Sequence, residues 1–291
     1  MKERRKRGER KNKNKREIKR RRRASREALK TFQDDAEAEM FAAQKKINMK
    51  TNIIRLRETD STNNFMSQYT DCTDSDLVVV TAEYQTNGRG QGTNTWESEN
   101  SQNLLFSMLT KPTGVDADKQ FVLSMAEALA LREALGACVS DITLKWPNDV
   151  YWRDYKISGT LIETALTGKK VKQCIFGTGI NVNQTLFLSS APNPTSLCLI
   201  TGRTFSKDEV LDKVLKAFER YYQMVLDGRY DTISEMYHNA LYRREGLHTY
   251  SDKNGTFEAS IKNVALNGTL TLVTKEGEER KYMFKEVNYI L

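Results

Sequence analysis

Between residues 52 and 182 the apolar residues fall into strand-sized runs, and a single long helix-period stretch interrupts them. The runs are "NIIRLRE" (52–58), "DLVVVTAEY" (76–84), "NLLFSMLTKP" (103–112), a segment ending in "LKWPND" (144–149), "ISGTLIETAL" (157–166) and "VKQCIFGTGINV" (171–182), with a turn at "WRDYK". β-branched runs of this length bounded by glycine, proline and polar clusters predict strands. Ser61 or Thr62 is placed to cap a short helix. Residues 117–135 carry Phe121, Val122, Met125, Ala128, Leu129 and Leu135 at helical spacing, with Gly136 as the stop. The clearest helix is 207–226, where Ser206 and Glu209 form a capping box, and a further helix is expected over 230–243. After "REGLHTY" the pattern shortens to alternating strands, "TFEASIKNVA", "GTLTLVT" and "RKYMFKEVNYIL". The expected organisation is a basic extension over 1–50, an α+β domain over 51–244 and a small β-barrel over 245–291.

Charge and composition remove several classes. Nothing apolar approaches the ~20 residues of a membrane span, and the basic N-terminus lacks the apolar stretch of a signal peptide. Cys72, Cys138, Cys174 and Cys198 form no CxxC pair, so they are expected as small core residues in a reducing cytoplasm. His238 and His248 lack ligand spacing, which argues against zinc. Residues 1–30 hold seventeen Lys/Arg against four Glu, a charge of +13; with +8 for the whole chain, residues 31–291 sum to −5. The basic character therefore belongs to a tail, which reads either as a nucleic-acid-attracting segment or as a solvated extension upstream of Met49. It has no apolar faces from which a helix-turn-helix could be built, so specific operator binding is not expected.

Three stretches carry chemistry. "EYQTNGRGQGTNTW" (83–96) sets Gly88, Gly90 and Gly92 at alternate positions around Arg89 and ends on Trp96. It lacks the Lys-Ser/Thr of a Walker loop and is not followed by the helix of a dinucleotide fingerprint. As a plain turn it would need neither the guanidinium, a planar fork for carboxylate or phosphate, nor the indole, a face for a purine. In "LKWPNDVYWRDYKISGTLIE" (144–163), Pro147 bends the chain and sets Asn148 and Asp149 at a strand lip, while Lys156 precedes the bare backbone of Gly159. "FGTGINVN" (176–183) closes on Gly177 and Gly179 and presents Asn181, whose amide can pair with an adenine edge or simply complete a turn.

Taken together with "STNN" (61–64), "NLLFS" (103–107) and "PTSL" (194–197), these motifs resemble, in order and spacing, the biotin protein ligases from about residue 53 to 200. The resemblance implies an α+β fold of the class II aminoacyl-tRNA synthetase/biotin synthetase kind, a mixed β-sheet with helices on one face, followed by a C-terminal SH3-like β-barrel. It implies joining of biotin to ATP as biotinyl-5′-AMP with loss of pyrophosphate, then transfer to a lysine of a biotin carboxyl carrier domain. Lys156, Arg89 and Asp149 would be the catalytic residues. Biotin would be held by Ser61, Thr62, Gln85, Gly88, Arg89, Lys156, Gly159 and Gly177. ATP would meet Trp96, Lys145, Asn148 and Asn181. Mg²⁺ would enter mainly through the phosphates, with Asp149 as the one side-chain candidate. The glycine loop would act as a lid over a hydrolysable anhydride. A cytoplasmic monomer or homodimer without membrane attachment is expected.

The sequence departs from the family where Gln91, Gly92, Thr93 and Asn94 replace a segment that often carries more arginines. The competing enzyme reading, a lipoate ligase or octanoyl transferase, requires a run of consecutive glycines and a histidine instead. The competing non-enzyme reading, a nucleic-acid module, is opposed by the acidic balance after residue 30.

Overall fold

The computed structural model describes residues 49–70, 74–189 and 193–290. The basic extension lies outside them except for its last two residues, as do Cys72 and Leu291. Seven strands form the main sheet: β1 (Thr51–Thr59), β2 (Leu77–Gln85), β3 (Leu104–Thr110), β4 (Ile142–Lys145), β5 (Asp149–Trp152), β6 (Tyr155–Thr167) and β7 (Lys170–Ile180), in the order β1-β2-β3-β7-β6-β5-β4. Only β1 and β2 run parallel, so the sheet is mixed.

Side-chain alternation separates the two faces. Phe106, Phe176 and Thr178 belong to one face, where the edge of Phe176 meets Phe218 of α4 (Lys207–Leu226) at 5.4 Å between ring centres. There α2 (Phe121–Gly136) packs against α4 and α5 (Tyr230–Asn239), and it is buried nearly all round because the sheet and two helices enclose it. Fully burying each large apolar side chain contributes about 1.5–3 kcal/mol. The opposite face carries Val78, Val80, Leu109 and Ile175, covered by Met66, Phe65 and Tyr69 from the α1 segment (Thr62–Gln68). The long helices thus share one face as expected, but short α1 lies on the other.

Several local expectations shift. A 3₁₀ turn (Ala117–Lys119) precedes α2, Gly136 is the last residue of α2 rather than a left-handed stop, and a short helix, α3 (Leu197–Thr201), comes before α4. Ser206 accepts from the Glu209 amide at 3.3 Å, which is the N-cap half of the predicted box. α5 ends at Asn239, because Leu144 takes the following segment into a bridge with Leu241. Of the described cysteines only Cys174 is buried; Cys138 and Cys198 are half-buried.

The C-terminal sheet is antiparallel in every pair: β8 (His248–Asp252), β9 (Gly255–Val264), β10 (Leu270–Thr274), β11 (Glu279–Tyr282) and β12 (Asn288–Tyr289), ordered β11-β10-β9-β8-β12. This arrangement is compatible with an SH3-like barrel. β8 was not anticipated, and the expected last strand is broken by a turn at Met283–Glu286. The Trp146 indole donates to Gly268 O at 3.0 Å, Phe121 N donates to Leu266 O at 3.0 Å, and Phe284 packs between Phe121 and Trp146. The C-terminal sheet is therefore fastened to the start of α2 and to the turn that carries Asp149.

Candidate active site

A cleft opens on the α1 face of the main sheet, lined by Ser61, Thr62, Asn63, Gln85, Arg89, Trp96, Gly159, Leu161 and the backbone of 177–179. Counted out into the open mouth, its free space is about 320 Å³. The floor is bare because three glycines leave no room for a side chain. A Cβ on Gly177 would overlap the Asn63 carboxamide, and one on Gly179 would overlap the Trp96 indole. One on Gly159 would come within 3.1 Å of Lys156 Nζ and 3.2 Å of Asp149 Oδ1.

Sheet register explains why these residues meet. Lys145 pairs with Asp149, Asp149 with Gly159, and Gly159 with Gly179 across four strands, so the four share one row. Lys156 joins them through a register shift between Val150 and Tyr151, where Ile157 is the extra residue. In an unbroken strand, residues three apart point to opposite faces; the bulge turns Lys156 toward Gly159. Its backbone is held on the other side by Asn193 O and the Thr195 amide, both at 2.9 Å, which gives the "PTSL" motif a bracing role. Lys156 Nζ stands 2.6 Å from Asp149 Oδ1 and 5.7 Å from the centre of the Trp96 ring.

The glycine loop is a small hairpin. Arg89 bridges Thr95, the Trp96 amide donates to Gly88 O at 2.9 Å, and Gly92 turns the tip with φ +69°. The Arg89 guanidinium reaches both oxygens of Glu163 (2.9 and 3.3 Å) and Asn64 Oδ1 (2.9 Å). From there a polar chain runs around the cleft. Asn63 Nδ2 donates to Glu163 at 2.8 Å, and Ser107 Oγ lies 2.7 Å from Asn63 Oδ1 and 2.8 Å from Thr62 Oγ1. The Thr62 amide and hydroxyl both donate to Gln85 Oε1, at 2.7 and 3.0 Å.

Of the residues expected from the sequence, Ser61, Thr62, Gln85, Arg89, Trp96, Gly159 and Gly177 line the cleft, while Asp149 and Lys156 stand beside it at Gly159 and Gly88 lies against Trp96 and Gln85. Asn181 lies two residues past Gly179; its backbone N–H donates to Ile157 O at 2.9 Å, and its Oδ1, like Trp96 Nε1, is buried with no hydrogen-bond partner among the described residues. Lys145 and Asn148 do not line the cleft. Lys145 turns to the C-terminal side, donating to Tyr151 OH at 2.9 Å beside Tyr289, and burial holds its ammonium below the ordinary range. Asn148 donates to Thr160 O and so stabilises the turn itself.

Sequence reasoning missed Asn63, Asn64, Ser107 and Glu163. Two signals were present. Glu163 continues the alternation of Gly159 and Leu161 along one strand face, and Ser107 interrupts the apolar run from Leu104 to Leu109 in a buried strand. On the opposite face, directly beneath these strands, Glu127 of α2 accepts from Thr160 and Thr178 at 2.8 and 3.0 Å. Its burial raises the carboxyl pKa to about 7.

Residues 56–181 match the biotin/lipoate A/B protein ligase family, and this segment is a domain of that family. Within it the chain is homologous to biotin protein ligases. It is 27% identical over 211 residues to the bifunctional ligase/repressor BirA of Bacillus spizizenii, covering 70% of this chain and 64% of that protein. It is 32% identical over 155 residues to the biotin–[acetyl-CoA-carboxylase] ligase of Paracoccus denitrificans, covering 49% and 61%. The biotin protein ligase of Aquifex aeolicus, solved in complex with biotin and ATP, shares the fold with a TM-score of 0.68 at 27% identity, covering 82% of this chain and 99% of that one. The chain spans somewhat less than two thirds of the length of the BirA relative.

Proposed function

We propose that this chain is a biotin–protein ligase that forms biotinyl-5′-AMP from biotin and ATP and passes the biotinyl group to a lysine of a biotin carboxyl carrier domain. The observation that carries the reading is a glycine-floored cleft with a polar end, lined by Arg89 and Trp96 and bordered at Gly159 by Lys156. That inner end, Ser61, Thr62 and Gln85 with the backbone at Gly88 and Gly177, offers donors and acceptors to a compact ureido ring. The biotin carboxylate then points toward Lys156, and the adenine toward Trp96 and Asn181. The unpaired indole N–H and carboxamide oxygen of those two residues suit a purine, whose edge supplies both acceptors and donors.

In the first step a biotin carboxylate oxygen bonds to the α-phosphorus while the bond to pyrophosphate breaks. Lys156 stabilises the charge gathered between carboxylate and phosphate, in a site from which water is excluded. Asp149 holds the ammonium in place until the anions arrive. The Arg89–Glu163 pair, with both side chains more than a third exposed, contributes at most about 1 kcal/mol, so a phosphate can take the guanidinium from the carboxylate. In the second step the carrier lysine amine attacks the acyl carbon, AMP leaves, and the amine loses a proton. Fixing the reactants can supply on the order of 7–11 kcal/mol of the barrier lowering.

Among the described residues no group of three His, Cys, Asp or Glu side chains could hold a metal by itself. Mg²⁺ would arrive with the polyphosphate and screen its charge, with Asp149 as the side-chain candidate for contact. No helix among the described residues is long and apolar enough to cross a membrane. We assign the chain to the cytoplasm, as a monomer or homodimer without specific DNA binding, with its catalytic and barrel portions meeting near residue 244.

The test is incubation with ATP, Mg²⁺, biotin and a carrier domain, with lipoate in a parallel arm. Biotin should be incorporated, and Lys156→Ala should lose about 3 kcal/mol of transition-state stabilisation with its circular dichroism unchanged. Adenylation of lipoate in preference to biotin would reject the assignment.

A further inference from the structure

The flap has one basic side chain, Arg89, yet its tip does not lack positive charge. A Cβ on Gly92 would overlap Lys285 Nζ, so the Lys285 ammonium lies against the tip of the hairpin. Lys285 is exposed and has no carboxylate partner among the described residues.

Its position is built rather than incidental. Lys285 sits in the turn Met283–Glu286 and is left-handed, with φ +69°. A lysine has no side-chain hydrogen bond to offset that conformation, so the surrounding structure must impose it. The preceding Phe284 supplies the constraint, with its ring 5.5 Å from Trp146 and 5.8 Å from Phe121. Trp146 opens the turn that delivers Asp149, the counter-ion of Lys156. One aromatic contact thus ties together the flap tip, the Asp149 turn and a cation from the C-terminal sheet.

Resting on the adenylation reading above, we infer that Lys285 binds the β,γ-phosphate end of ATP and the departing pyrophosphate, supplying from the C-terminal sheet the charge that the Gln91–Asn94 segment lacks. With the α-phosphate at Lys156, the outer phosphates extend toward the flap, where Arg89 and Lys285 flank them. An ammonium suits this place because it acts as a mobile point charge and releases its ligand readily.

Biotin-dependent ATP–pyrophosphate exchange tests this without a carrier domain. Lys285→Ala should raise KM for ATP roughly tenfold or more, the loss of one charge-assisted hydrogen bond, while biotin affinity by calorimetry stays unchanged. Lys285→Arg should remain within a few-fold of wild type. Lys285→Gly removes the charge while relieving the left-handed backbone, so it should reproduce the ATP defect with an undiminished melting temperature. Unchanged KM for ATP in the alanine and glycine variants, or a rise confined to KM for the carrier domain, would overturn the inference. So would equal impairment in arginine and alanine variants that both melt early. Failure of the wild type to support exchange would count against the proposed function instead.

Discussion

Replacing Glu127 by glutamine should make the protein more stable at neutral pH, and the gain should vanish in acid. The carboxyl is buried under β6 and β7, and among the described residues no cation pairs with it and only the Thr160 and Thr178 hydroxyls donate to it. Burial dominates, and the pKa rises from 4.5 to about 7. A carboxyl that holds its proton more tightly when folded favours the folded state most below the unfolded pKa. That contribution falls as pH climbs from about 4.5 to about 7 and is gone above. The shift, at 1.36 kcal/mol per unit, is worth about 3 kcal/mol. Glutamine keeps the carbonyl that accepts from both threonines and cannot ionise, so it should not pay this penalty. Urea unfolding of both proteins, followed by tryptophan fluorescence at intervals from pH 5 to 8, isolates the effect, because the remaining titrations cancel in the difference. The variant should gain steadily across the window and level off near pH 8. A difference that does not vary with pH would refute the account, since it would mean that Glu127 titrates alike in folded and unfolded chains.

Gly177→Ala should lower biotin affinity at least tenfold and cost about 1–3 kcal/mol of stability, because the new methyl displaces Asn63 from the polar chain; calorimetry and thermal melts check both. Biotinyl-adenylate should leave this enzyme faster than it leaves a relative with an arginine-rich flap, and equal or slower release in a chase experiment would count against that. Deleting residues 1–48 should leave ligation unaltered while abolishing any attraction to nucleic acid, which filter binding at low salt would measure.

Much of this protein was written locally. The strands of the main sheet, the capped helix after Ser206 and the candidacy of Arg89, Asp149, Lys156 and the paired glycines follow from residue types and their spacing, because those features depend on a residue's immediate neighbours. Other features required the chain to meet itself. Lys156 and Gly159 belong to opposite faces of an ideal strand, and the bulge at Ile157 that reunites them arises only when β5 and β6 pair. Arg89 and Glu163, seventy-four positions apart, and Ser107 between Thr62 and Asn63, acquire their roles from the crossing of distant strands. β8 and the broken last strand were hidden because strands of five and two residues, with few buried positions, have little periodic signal. Sequence alone determined which candidate groups this protein offers to the proposed acyl-phosphate chemistry. Tertiary structure decided which of them face one another, because sheet register, unlike residue identity, is set by partners far away in the chain.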